Sequence, residues 1–183
     1  YNAYRYENIS YSSLKTDDQR YIWQSMYSWW GESGLNLIEE SFGYRFDEVG
    51  STGSEVTIMF VNDYNDRSTW ADAGYLAMTY CDPRNLSITV NMDYYYNFNS
   101  ATDKNGISPW QQVYLDRVMT HELTHAVMTV TVDNYLNLPA YVKEGLCEIV
   151  HGGDERSTDI VALADNTSKL EAALNSSSGY ARV

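Results

Sequence analysis

The run His121-Glu122-Leu123-Thr124-His125 decides how the rest of this 183-residue chain is read. It is an H-E-x-x-H pattern, and the spacing around it predicts a helix from about Pro109 to Val130. On a helix, side chains four residues apart stand one above the other, so both imidazoles point into the same space. Two neutral ring nitrogens there supply half of a tetrahedral zinc shell, and Glu122 is placed to reach a water on that metal. Zinc brings the pKa of such a water towards neutrality, and a carboxylate beside it can take the proton. The chemistry implied is a zinc hydrolase acting on peptide bonds. At about 100° per residue, Leu115, Met119, Leu123, Ala126, Val127 and Val130 share one face, the expected core side. Tyr114, Val118, His121, Glu122, His125 and Thr129 share another. Two of the chain's three histidines therefore lie together, away from the apolar stripe, with an acid between them.

A hydrolytic zinc takes three protein ligands and keeps one position open. The third is expected between Leu138 and Gly153, where Pro139 suits the first turn of a helix and Gly152-Gly153 its end. Tyr141, Glu144, Glu148 and His151 recur there at three- and four-residue steps and form one polar face, whereas Val142, Leu146, Ile149 and Val150 fall mostly elsewhere. Eighteen residues separate His125 from Glu144, room for a loop and the return of an antiparallel helix.

H-E-x-x-H, eighteen residues, then E-G-x-x-E resembles the gluzincin metallopeptidases over His121 to Glu148. The resemblance implies His121, His125 and Glu144 as zinc ligands and Glu122 as general base. It implies that Glu148, four residues after the ligand glutamate, holds a zinc-binding imidazole in place, as an acid does in thermolysin-like members. The longer run L-P-x-x-x-K-E-G-x-x-E-x-x-H-G-x-D-E-R, Leu138 to Arg156, is similar to the collagenase-like peptidase domain inserted in some bacterial flagellins. That likeness implies a place in a larger surface or flagellar protein. It also implies an oxyanion donor downstream of Glu144, for which Tyr180 ranks first and His151 second. The metzincin class is excluded, since Met128 and Thr131 stand where its Gly and third His belong. No G-x-M-E-N segment of the aminopeptidase branch is present.

Composition bounds the partners. A net charge of −13 argues against nucleic acid and anionic membranes, and no run of eighteen apolar residues is present to span a bilayer. The expected partner is a protein or peptide substrate. Seventeen tyrosines in a Ser/Asn/Thr/Asp-rich background suit an extracellular or cell-surface protein. The opening Tyr1-Asn-Ala-Tyr-Arg-Tyr6 lacks the basic and apolar regions of a signal peptide, as a mature fragment or a domain excised from a longer protein would. Asn8, Asn85, Asn166 and Asn175 begin N-x-S/T triplets, which matter only where secreted proteins are glycosylated. Cys81 and Cys147 read as a disulfide or as free thiols, the thiols being expected. Neither is expected on the zinc, because the ligand set is complete without them.

The length suits a single catalytic domain over 1–183. Asp17 to Trp30 reads as helix, broken by Gly31 and Gly34, with a short second helix from Leu35 to Phe42. Glu55–Val61, Tyr75–Tyr80 and Leu86–Met92 read as strands, a polar tyrosine-rich loop spans Asp93 to Ser108, and Asp159 to Asn175 reads as one or two helices. The fold class expected is α+β and zincin-like. Its upper lobe, about 1–130, would carry a small mixed sheet and the active-site helix; its helical lower lobe would span about 131–183. Leu86–Met92, directly before the metal helix, is the candidate edge strand for pairing with substrate, an interior strand being the alternative. Tyr94-Tyr95-Tyr96 would line the cleft or sit on the surface. The alternative to an endopeptidase is a surface or adhesion module of the same shape that binds protein without cutting it; the intact Glu122 favours the enzyme. A structural zinc would need a fourth ligand, for which His151 is the remaining histidine.

Overall fold

Helix formation begins at Thr16, whose side-chain oxygen accepts the N–H of Gln19 at 3.1 Å, with Asp17 and Asp18 in the first turn where the helix dipole favours acids. The computed structural model describes residues 16–44, 56–61, 76–92, 94–95, 97–98, 105–106, 114–152 and 166–174. The first helical backbone runs unbroken from α1 (Asp17–Ser25) through a π-helical turn (Met26–Trp30) into α2 (Gly31–Phe42). It stops at Gly43, left-handed at φ 74°, whose N–H bonds Glu39 O. The expected break at Gly31 and Gly34 is therefore absent. Glycine in a helix interior costs about 1 kcal/mol against alanine, but at Gly34 the missing side chain has a use. A Cβ there would come within 3.1 Å of Thr120 Oγ1 and 3.2 Å of Leu123 Cδ1, so glycine lets α2 lie close against the next long helix.

Three strands follow: β1 (Val56–Val61), β2 (Ala77–Tyr80) and β3 (Leu86–Asn91). Their order is β1-β3-β2, with β1 parallel and β2 antiparallel to β3. The expected edge strand is thus the central one, and this corrects the sequence reading. Apolar and polar residues alternate along β3, yet all six are buried: Ser87, Thr89 and Asn91 are at most 8% exposed, beside Leu86, Ile88 and Val90 at 2% or less. Among the described residues β2 pairs on one side only. Tyr95, expected in the cleft or on the surface, is instead wholly buried in the core, with Phe98 packed beside it. The Asp18 carboxylate accepts the N–H groups of Asn97 and Phe98, each at 3.0 Å, and ties this stretch to α1.

The helix α3 (Leu115–Thr131) starts without a side-chain cap. Gly106 O and Asn105 O accept its first N–H groups, from Leu115 and Asp116, at 2.7 and 3.1 Å. It packs against α2, β2, β3 and α4 (Ala140–His151), and the side with His121, Glu122 and Thr129 is as buried as the apolar stripe. Hydroxyls survive there because Thr120, Thr124, Thr129 and Thr131 each donate to the carbonyl four residues back. Asn134, left-handed at φ 59°, and a 3₁₀ turn (Tyr135–Asn137) reverse the chain into α4, which ends at left-handed Gly152. α4 turns its polar face inward: Cys147 and Glu148 are buried, and Ile149 is left 69% exposed. A last described helix, α5 (Thr167–Leu174), falls within the expected 159–175 stretch. The described elements form an α+β arrangement with a small three-stranded sheet, and none of their helices is long and apolar enough to cross a membrane.

Candidate metal centre

α3 contributes His121 and His125 one turn apart, their rings edge to face with centroids 5.0 Å apart. α4 brings Glu144 across to both. Its Oε2 lies 3.2 Å from His121 Nε2 and 3.6 Å from His125 Nε2. Burial alone would raise the Glu144 pKa, but the hydrogen bonds and charges of the two imidazoles outweigh it and hold the carboxyl well below its usual range. One ionised carboxylate oxygen therefore lies within 3.6 Å of a nitrogen of each ring, residue types suited to a borderline-soft divalent cation.

Behind these donors each imidazole has a second contact. Tyr135 OH is 2.7 Å from His125 Nδ1, and Glu148 Oε1 is 3.6 Å from His121 Nδ1. With a cation bound, an acceptor at Nδ1 would hold the ring proton there and leave Nε2 its lone pair. Burial, with the neighbouring thiols and Glu144, pushes the Tyr135 hydroxyl far above its usual range, so it remains an O–H. Glu148 Oε2 also faces His151 Nε2 at 3.2 Å. His151 thus sits behind His121, beside a cavity of about 220 Å³ lined with Trp29, Trp30, Asp116, Arg117 and Thr120. His151, the second-ranked oxyanion donor, is placed beside Glu148 and the His121 ring, with the two imidazole centroids 5.2 Å apart. Tyr180, ranked ahead of it, lies outside the described residues.

Glu122, on α3 between the two histidines, is 7% exposed. Thr79 Oγ1, from β2, lies 2.7 Å from its Oε2 and 2.9 Å from its backbone oxygen. The hydroxyl can fix one carboxylate oxygen and leave the other free to take a proton. The sheet therefore reaches the site through β2, whose last residues run directly over α3.

Both cysteines are free thiols. Cys147 is fully buried, and its Sγ and donor nitrogens of His121 and His125 all lie within 4.8 Å of one another. Cys81, half-buried, contacts Thr79 O at 3.7 Å and the Thr129 hydroxyl. Burial, then nearby carboxylates, pushes both thiols above their usual range, so each is protonated at neutral pH when nothing is bound. Sequence reasoning set Cys147 aside and missed Tyr135 and Thr79. One signal was legible: Cys147 stands three residues after Glu144 and so shares its helix face.

The charge balance favours a cation. Glu122, Glu144 and Glu148 surround two imidazoles, while the nearby Lys143 amine reaches out to Leu136 O at 3.3 Å. Buried carboxylates are rare unless paired or coordinating a metal. No family model, curated protein or solved structure matches the chain.

Proposed function

We propose that this chain is a zinc-dependent endopeptidase of the gluzincin type, built on a zincin-like fold. One observation carries the reading. The eighteen-residue interval between His125 and Glu144 folds back so that Glu144 Oε2 meets both histidine nitrogens, with Glu122 held beside them by a strand. His121, His125 and Glu144 would hold the zinc, and Tyr135 and Glu148 would orient the two imidazoles. Bound there, zinc would act as a Lewis acid on a peptide carbonyl and on water. Glu122 takes the water's proton through the oxygen that Thr79 leaves free, then returns it to the departing nitrogen. On this reading β2, which pairs on one side only among the described residues, is the edge a substrate would join. An extended peptide adding to β2 would lie along the strand that carries Thr79, next to Glu122. The substrate class is protein in extended or unfolded form, met outside the cell or at its surface, and the chain would belong to a larger surface or flagellar protein.

The experiment is cleavage of an unfolded protein by the purified chain. Cleavage should stop with a chelator and return with zinc. Glu122→Gln should keep its zinc but lose turnover by about 10²–10⁴-fold, the worth of a positioned general base. A wild-type chain that carries zinc yet leaves every unfolded substrate intact would instead favour a protein-binding module.

A further inference from the structure

We propose that Cys147 is itself a donor to the cation held by His121 and His125, so that the centre selects thiophilic divalent metals. The proposal rests on the reading that this centre binds a metal at all. Its geometric ground is the cluster of Sγ and two imidazole nitrogens, mutually within 4.8 Å, on a side chain with no solvent exposure. A tetrahedral zinc with Zn–S about 2.3 Å and Zn–N about 2.0–2.1 Å holds S and N roughly 3.6 Å apart. These side chains therefore need to draw in by at most on the order of 1 Å. The helix supplies the rest. Glu144 and Cys147 are three residues apart on α4, so an oxygen and a sulfur donor leave the same face towards the same two histidines.

A second, independent feature supports a sulfur–metal bond. The Tyr135 hydroxyl lies close enough to the Cys147 thiol to influence its ionisation, as well as contacting His125 Nδ1. A hydroxyl in that position can accept from the imidazole and donate to a thiolate, supporting both as ligands at once. When the cation binds, the S–metal bond forms and the thiol proton leaves to solvent. Thiolate favours zinc, cadmium and cobalt over magnesium, calcium and manganese, which prefer oxygen. With Glu144 also bound, the shell would hold four protein donors, and a water would take the fifth position that zinc sometimes adopts. Cys81 is not a member of the cluster and serves as the control.

The test strips the protein of metal with a chelator and titrates it with cobalt(II) under anaerobic conditions, reading the absorption spectrum. The expected result is one cobalt per chain with an intense near-ultraviolet thiolate-to-cobalt band. Cys147→Ser should keep the cobalt and lose that band, and Cys81→Ser should keep both. Should Cys147→Ser not fold, the wild-type spectrum and the NMR shift of bound cadmium, which sulfur moves strongly downfield, decide the point without a variant. Cobalt bound by the wild type with no thiolate band overturns the proposal and leaves the metal centre standing. So does a band that survives Cys147→Ser or vanishes in Cys81→Ser. A protein that takes up no cobalt overturns both.

Discussion

A ring nitrogen that is to face a cation needs its opposite nitrogen tied down, and at His125 that tie is the Tyr135 hydroxyl, 2.7 Å from Nδ1. Tyr135→Phe keeps the ring and deletes only this contact. Zinc affinity should fall by about 10–100-fold, the usual cost of losing an outer partner of a metal-binding histidine. Titration of the metal-free variant checks this, and wild-type affinity would remove Tyr135 from the centre. Thr79 plays the matching part for Glu122. In Thr79→Val the carboxylate loses a hydrogen bond worth ~1.5–3 kcal/mol, as for bonds to charged groups. Turnover should drop roughly ten- to a hundredfold with zinc content unchanged, and equal turnover would show that Thr79 does not position the base. His121, Glu122 and His125 were legible in the sequence because helix geometry alone brings them together. Thr79 was not, since it stands 43 positions before Glu122 and only the sheet's docking on α3 joins them.

Among the elements, periodicity gave the helices and misjudged what covers them. The strand alternation of Leu86 to Asn91 is real, but it reports side-chain polarity and not exposure; β1 and β2 pair with the two edges of β3, and packing over the sheet, α3 included, buries all six residues. Along the first helical backbone Trp30 enters the core, four and eight residues after the buried Met26 and Ile22, while Trp29 beside it stays 41% exposed. Gly34 looked like a helix breaker because its use lies in another helix. Gly34→Val would drive branched carbons into Thr120 and Leu123, which a Cβ already approaches to 3.1 and 3.2 Å. Overpacking of this kind costs about 1–3 kcal/mol, so thermal unfolding should move down in temperature. An unchanged or higher midpoint would mean that α2 and α3 can separate without loss.

Over the whole molecule, the candidate site is where its separate parts meet: α3 supplies His121, Glu122 and His125, α4 supplies Glu144, and β2 supplies Thr79. An acidic chain of net charge −13 gathers three buried or half-buried carboxylates around two imidazoles, a cluster that could hold a cation. The α+β class and the pairing of the two site helices could be read from helix spacing and chain reversal. The strand order, the inward polar face of α4 and the nearness of Cys147 could not, because they depend on long-range packing that one sequence does not encode locally. The most direct test is the zinc content of purified protein, wild type beside Glu144→Ala and Glu148→Ala, followed by zinc titration. The account predicts one zinc per chain in the wild type and almost none in Glu144→Ala. Glu148→Ala should bind about 10–100-fold more weakly and refill when zinc is added. Wild-type zinc content in Glu144→Ala, or no zinc in the wild type, would contradict it.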